Sequence, residues 1–123
     1  MAHESAVTCV RACEACATAC DHCASACLRE DEVAEMAECI RVDIDCAAVC
    51  RMAAALMARG SKFAVEFCAL CARVCDACAD ECERHEAEHC KACAAACRRC
   101  ANECRAMIER SGQSATTARQ ATE

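Results

Sequence analysis

Apolar and polar positions along this chain alternate with the 3-and-4 stagger of a helix face, and most of the inward positions are cysteine. One stretch carries Cys9, Cys13, Cys16, Cys20, Cys23 and Cys27; another carries Cys68, Cys71, Cys75, Cys78 and Cys82; a last carries Cys90, Cys93, Cys97, Cys100 and Cys104. Steps of 3 and 4 put one residue per turn on a single stripe, the seam by which a helix packs on its neighbours. Between the cysteines stand Ala, Glu, Asp, Arg and Lys, mostly good helix formers that leave the opposite face wet. A remaining stretch keeps the stripe with fewer thiols: Met36, Cys39, Asp43, Cys46, Cys50, Ala53 and Met57.

The spacing predicts helices over about 4–29, 32–58, 62–84 and 87–109. Asp31 is placed to cap the second, Gly60 to stop it in a left-handed turn, and Ser61 to cap the third. The break between the third and fourth is marked by a phase slip, since Cys82 and Cys90 are eight residues apart where the heptad requires seven. One long helix with a skipped residue is the competing reading of that slip. Near-equal helices on short connections give an all-α fold, an antiparallel up-down-up-down four-helix bundle over residues 1–111 with a cysteine-lined core. Residues 112–123 are polar and aperiodic, and the expectation for them is a disordered tail.

Composition changes what the core can be made of. In 123 residues there are 19 cysteines and no Pro, Trp or Tyr, and the 57% hydrophobic share is mostly Ala and Cys. A jigsaw of large aliphatics is therefore excluded, as is a turn-rich β fold. The net charge is −6 with no basic block and two Phe, which leaves nucleic-acid binding without a footprint. No run of uncharged apolar residues is long enough to cross a membrane. The opening Met-Ala-His-Glu-Ser has neither a cationic nor an apolar export region, so the expected location is cytoplasmic, where thiols stay reduced.

Free cysteine can serve simply as a small buried hydrophobe, but it is usually kept for reactivity rather than volume. Disulfides fit poorly, because helix axes about 8–10 Å apart often hold facing Cα atoms beyond bridging distance. Six CxxC pairs occur, among them Cys13/Cys16 and Cys97/Cys100. They lie inside helices with no sheet nearby, so a thiol–disulfide oxidoreductase is only weakly supported. Among metals, Zn²⁺ consumes four ligands per ion, and Fe–S clusters need room for sulfide and a loop spacing. Cu(I) is soft and favours thiolate. One Cu⁺ per thiolate also leaves the buried array neutral, which matters because uncompensated buried charge is very costly. Multiple Cu(I) ions are the expected cargo; a zinc or general soft-metal buffer is the alternative.

A short bundle with cysteines at 3-and-4 spacing on its inner faces, from Cys9 to about Met107, resembles the bacterial copper storage proteins, and its cytosolic branch in particular. That resemblance implies a non-enzymatic tube holding many Cu(I) ions on thiolates, and a homotetramer. A copper carrier or a small thiol is the expected donor.

Antiparallel topology sorts the seams into levels. Cys16, Cys46, Cys75 and Cys97 share the centre; Cys13, Cys50, Cys71 and Cys100 lie one step towards one end; Cys9, Ala53, Cys68 and Cys104 follow. Met57 and Met107, with Phe63 and Phe67 nearby, should plug that end, although thioethers can also bind soft metal. At the other end Cys27, Met36, Cys82, His85, His89 and Cys90 should gather, with His85 and His89 as candidate ligands where copper is taken in. Asp43 falls on a seam near Cys20, Cys78 and Cys93, and is either a hydrogen-bonded or metal-binding core carboxylate or a group rotated out to the surface. A di-iron site is unsupported, because Glu86-Ala87-Glu88-His89 matches its Glu-x-x-His pair once and no second copy exists.

Overall fold

The computed structural model describes the backbone of residues 2–122 and the side chains of residues 6–112. Four α-helices run over Ala2–Cys27 (α1), Ala37–Ala58 (α2), Ala64–Cys82 (α3) and Glu88–Thr122 (α4), with a 3₁₀ turn at Val33–Met36 ahead of α2. They pack in a ring in which α1 and α3 each touch both α2 and α4. The stripes meet on the ring's axis. All nineteen cysteines are free and buried, and small Ala17, Ala47, Ala72, Ala79, Ala94 and Ala101 pack beside them in the same core.

Gly60 does stop α2 with φ +65°, and its N–H is bonded to the Met57 carbonyl at 3.1 Å. Asp31 does not cap α2: the helix begins six residues later behind the 3₁₀ turn, with Met36 at its cap position and no side-chain bond there. Burial of Met36 on the seam accounts for this, because the 3₁₀ turn carries it under the bundle end. Ser61 does not cap α3, whose cap position is Phe63 with no side-chain bond there. The Ser61 Oγ accepts the Phe63 N–H at 3.1 Å and its carbonyl accepts the Ala64 N–H at 3.1 Å, shaping the turn before α3.

At the phase slip the chain does break, between Cys82 and Glu88. Helix α3 tightens as it ends, Arg84 N–H bonding the Glu81 carbonyl and His85 N–H the Cys82 carbonyl, both at 3.1 Å. The far end differs from expectation. Helix α4 continues to Thr122, so the backbone after Gly112 is helical. Nothing in that stretch stops a helix: there is no Pro, and Gly112 does not take a positive φ.

Outside the core, α3 and α4 are tied by Arg98, which reaches Asp76 (3.3 Å), Asp80 (2.6 Å) and Glu83 (2.8 Å). Arg105, two turns further along α4, also pairs with Asp76. On α2, Val42 and Val49 are partly buried against the core, while Ile44 and Met52 are about half exposed.

Candidate metal centre

The cysteines form a continuous column of sulfur. At the central level Cys16 Sγ lies 3.9 Å from Cys46, 3.8 Å from Cys75 and 3.6 Å from Cys97. One level away Cys50 Sγ lies 3.7 Å from Cys71 and 3.9 Å from Cys100, and Cys100 reaches Cys13 at 3.5 Å. Beyond these, Cys9 meets Cys104 at 3.6 Å, with Cys68 and Ala53 buried in the same core. The levels are those expected from the seams.

Several groups of four sulfurs have all their ligand atoms within 4.8 Å of one another, including Cys16/Cys46/Cys50/Cys75, Cys16/Cys20/Cys46/Cys97 and Cys20/Cys78/Cys93/Cys97. These groups overlap: Cys16, Cys46, Cys20 and Cys97 each belong to two of them. Isolated tetrahedral sites do not share ligands in this way, whereas thiolates bridging soft monovalent ions do. Within one helix the close pairs have CxxxC spacing, at 3.9 Å for Cys23/Cys27, Cys46/Cys50 and Cys71/Cys75. The column is thus assembled across helices and along i,i+4 pairs rather than from CxxC units.

Asp43 occupies the place of a fourth cysteine beside Cys20, Cys78 and Cys93. It is fully buried. Its Oδ1 accepts thiol bonds from Cys78 (3.2 Å), Cys93 (3.3 Å) and Cys82 (3.7 Å), and Oδ2 accepts one from Cys39 (3.8 Å). Rotation to the surface is thereby excluded. Burial first, and the neighbouring Cys93 second, push its pKa up to about 10, so in the metal-free protein at neutral pH it is a carboxylic acid among thiols.

The two ends are unlike. At the Cys9 end Met57 and Met107 are buried, and Met107 Sδ accepts the Ser111 hydroxyl at 3.3 Å. Phe67 packs on the core, but Phe63 is 55% exposed and does not help to plug it.

At the other end Cys27 meets Cys39 at 3.9 Å, and Cys39 meets Cys82 at 3.7 Å. His89 Nδ1 is 3.5 Å from Cys90, 3.6 Å from Cys23 and 3.9 Å from Cys27, while its Nε2 is 2.8 Å from Glu30. His85 sits higher, its Nε2 2.9 Å from Glu81. It lines a shallow acidic cavity of about 220 Å³ with Glu30, Asp31, Glu35, Met36 and Glu86. Burial raises the Cys27 thiol, and it raises Cys90 to about 11. These thiols are therefore protonated until a metal displaces the proton. Glu30 was not expected from its residue type, although it is the next step of the α1 seam, three residues past Cys27. His22 is exposed and off the column.

A helical bundle whose axis is a shared thiol column belongs to the class of soft-metal-binding proteins. Within that class the chain belongs to the copper storage protein family, whose pattern matches residues 2–109. It is 44% identical to the Cu(I)-bound copper storage protein BsCsp3, with a TM-score of 0.82 over 85% of this chain and 98% of that one. A cytosolic copper storage protein from Streptomyces lividans, in a structure with five coppers, is 42% identical with a TM-score of 0.85, over 88% of this chain and 95% of that one. An uncharacterised cysteine-rich protein of Bacillus subtilis (strain 168), YhjQ, is 46% identical over 83 residues, 68% of this chain and 70% of its own length.

Proposed function

We propose that this protein stores Cu(I) along its axis, with its nineteen cysteines as thiolate ligands and no catalytic role. The observation that carries this reading is the overlap of the four-sulfur groups, in which one sulfur serves two neighbouring sites. Each bound Cu⁺ displaces a thiol proton, so a filled column stays electrically neutral inside a low-dielectric core. Zinc in the same column would bring two charges per ion and exhaust the ligands early.

Copper is delivered by a carrier or a small thiol at the end where His89 meets Cys23, Cys27 and Cys90, and then passes inward from sulfur to sulfur. His85 serves as an outer ligand above that site, and Asp43 as a core group that yields to or joins an incoming ion. The Streptomyces relative is described as cytosolic, which supports the cytoplasm as the site of storage. No helix among the described residues is long and apolar enough to cross a membrane. Half-exposed Ile44 and Met52 on α2 support burial of that face in a homotetramer.

The deciding experiment is an anaerobic Cu(I) titration of the fully reduced protein against a chromophoric competitor. Saturation is expected at about one Cu per thiol. Saturation below half that ratio, with tighter binding of zinc, would replace copper storage by zinc buffering.

A further inference from the structure

We propose that Glu30 is a positioning residue, which holds the His89 imidazole with Nδ1 turned onto the three thiols at the bundle end. The distances assign the ring's tautomer. Glu30 Oε1 lies 2.8 Å from Nε2, and an ionised carboxylate can only accept a hydrogen bond. Nε2 is therefore the nitrogen that carries the hydrogen. In the neutral ring this leaves the lone pair on Nδ1, and Cys90, Cys23 and Cys27 surround that atom at 3.5, 3.6 and 3.9 Å.

Glu30 is well placed to impose this arrangement. It stands three residues beyond the end of α1, where its N–H bonds the Cys27 carbonyl at 3.2 Å and the Arg29 N–H bonds Ala26 at 3.0 Å. That turn fixes Glu30 relative to Cys27 and aims it across at the first turn of α4, 59 residues away in sequence. His85 offers the contrast. Its carboxylate partner, Glu81, lies four residues back along the same chain segment, so that pair ties no second element to the bundle end. The Glu30–His89 pair instead joins the α1 terminus to α4, alongside the Cys23 and Cys27 contacts to the same ring. A carboxylate behind a metal-facing histidine commonly sets both its tautomer and its ring orientation.

What Nδ1 is aimed at rests on the copper-storage reading; the orientation itself does not. The test uses reduced, metal-free, full-length protein labelled with ¹⁵N at histidine, as wild type, Glu30→Ala and Glu30→Gln, at a mildly alkaline pH where an imidazole is neutral. Nitrogen shifts report which ring nitrogen holds the hydrogen, and circular dichroism checks that each variant is folded. In parallel, stopped flow follows Cu(I) transfer from a chromophoric chelate.

Wild type should show a single Nε2–H tautomer for His89. Glu30→Ala should show a mixture and take up copper about tenfold more slowly, at the lower end for such partners because the Glu30 side chain is 40% exposed. Glu30→Gln, whose amide oxygen still accepts from Nε2–H, should restore most of the tautomer and the rate. In a His89→Ala background, adding Glu30→Ala should change the rate no further. An unchanged tautomer in Glu30→Ala, or a Glu30→Gln protein that behaves like Glu30→Ala, would overturn the proposal. A wild type that shows the single tautomer but takes up no Cu(I) would uphold the orientation and remove the storage reading instead.

Discussion

Cys78 donates its thiol to Asp43 Oδ1 at 3.2 Å inside a core otherwise made of cysteine, alanine and methionine. A carboxyl group there is costly only when ionised. Its folded pKa of about 10 stands far above the unfolded 3.8, so between those values the folded state holds a proton that the unfolded chain has lost. Stability from this group is full below about pH 4 and declines as the pH rises towards 10. Asp43→Asn should therefore flatten the pH dependence of metal-free unfolding between pH 4 and 7.5, the range below thiol titration. It should also raise stability at pH 7. Urea melts of reduced protein across that range check this, and a slope as steep as wild type would contradict it.

Copper capacity should fall by steps rather than collapse. Cys46→Ser and Cys97→Ser each remove a sulfur shared by two neighbouring groups, and soft ions can re-form bridges with the thiolates that remain. Each replacement should lower saturation by about one to two Cu per chain, measured by the same anaerobic titration. Loss of all binding from one replacement would mean a single cooperative cluster.

The two histidines should separate kinetically. His89 touches three thiols, whereas His85 touches Glu81 above them. His89→Ala should slow copper transfer to a chelator several-fold more than His85→Ala, and neither should cost more than the site at that end. Stopped-flow rates that match wild type in both variants would reduce the pair to ordinary helix-end residues.

The two glycines make opposite predictions about the scaffold. Gly60 has φ +65° with open space around it, so Gly60→Ala pays in backbone strain alone and should destabilise the metal-free protein by about 1 kcal/mol. Gly112 lies within α4 with nothing near its Cβ position and no positive φ, so Gly112→Ala should be neutral or stabilising by up to about 1 kcal/mol. Denaturant melts of both variants decide it.

Much of this architecture was legible because a 3-and-4 cysteine step has one physical meaning in a helix. The levels at Cys16, Cys46, Cys75 and Cys97, and the seam place of Asp43, follow from phase alone. What phase does not carry is the behaviour of ends. Asp31 looked like a cap, but burial of Met36 sets the start of α2. The polar, aperiodic residues from 112 onward looked like a tail, yet α4 continues through Gly112 to Thr122. Glu30 continued the α1 seam by its spacing, but a charged type after six cysteines reads as the start of solvent. Its partner comes from another helix, and pairings of that kind have no periodic signature.

The contrast between the two ends of the bundle has a consequence for order. Met57 and Met107 are buried at one end, while His89 and the thiols around it lie at the other. If copper enters and leaves only at the His89 end, as proposed, the column is a stack: the earliest ions travel deepest, and the latest leave first. Two copper isotopes loaded in sequence would then come out in reverse, and a cell drawing on a part-filled store would use its newest copper while the oldest stayed in place.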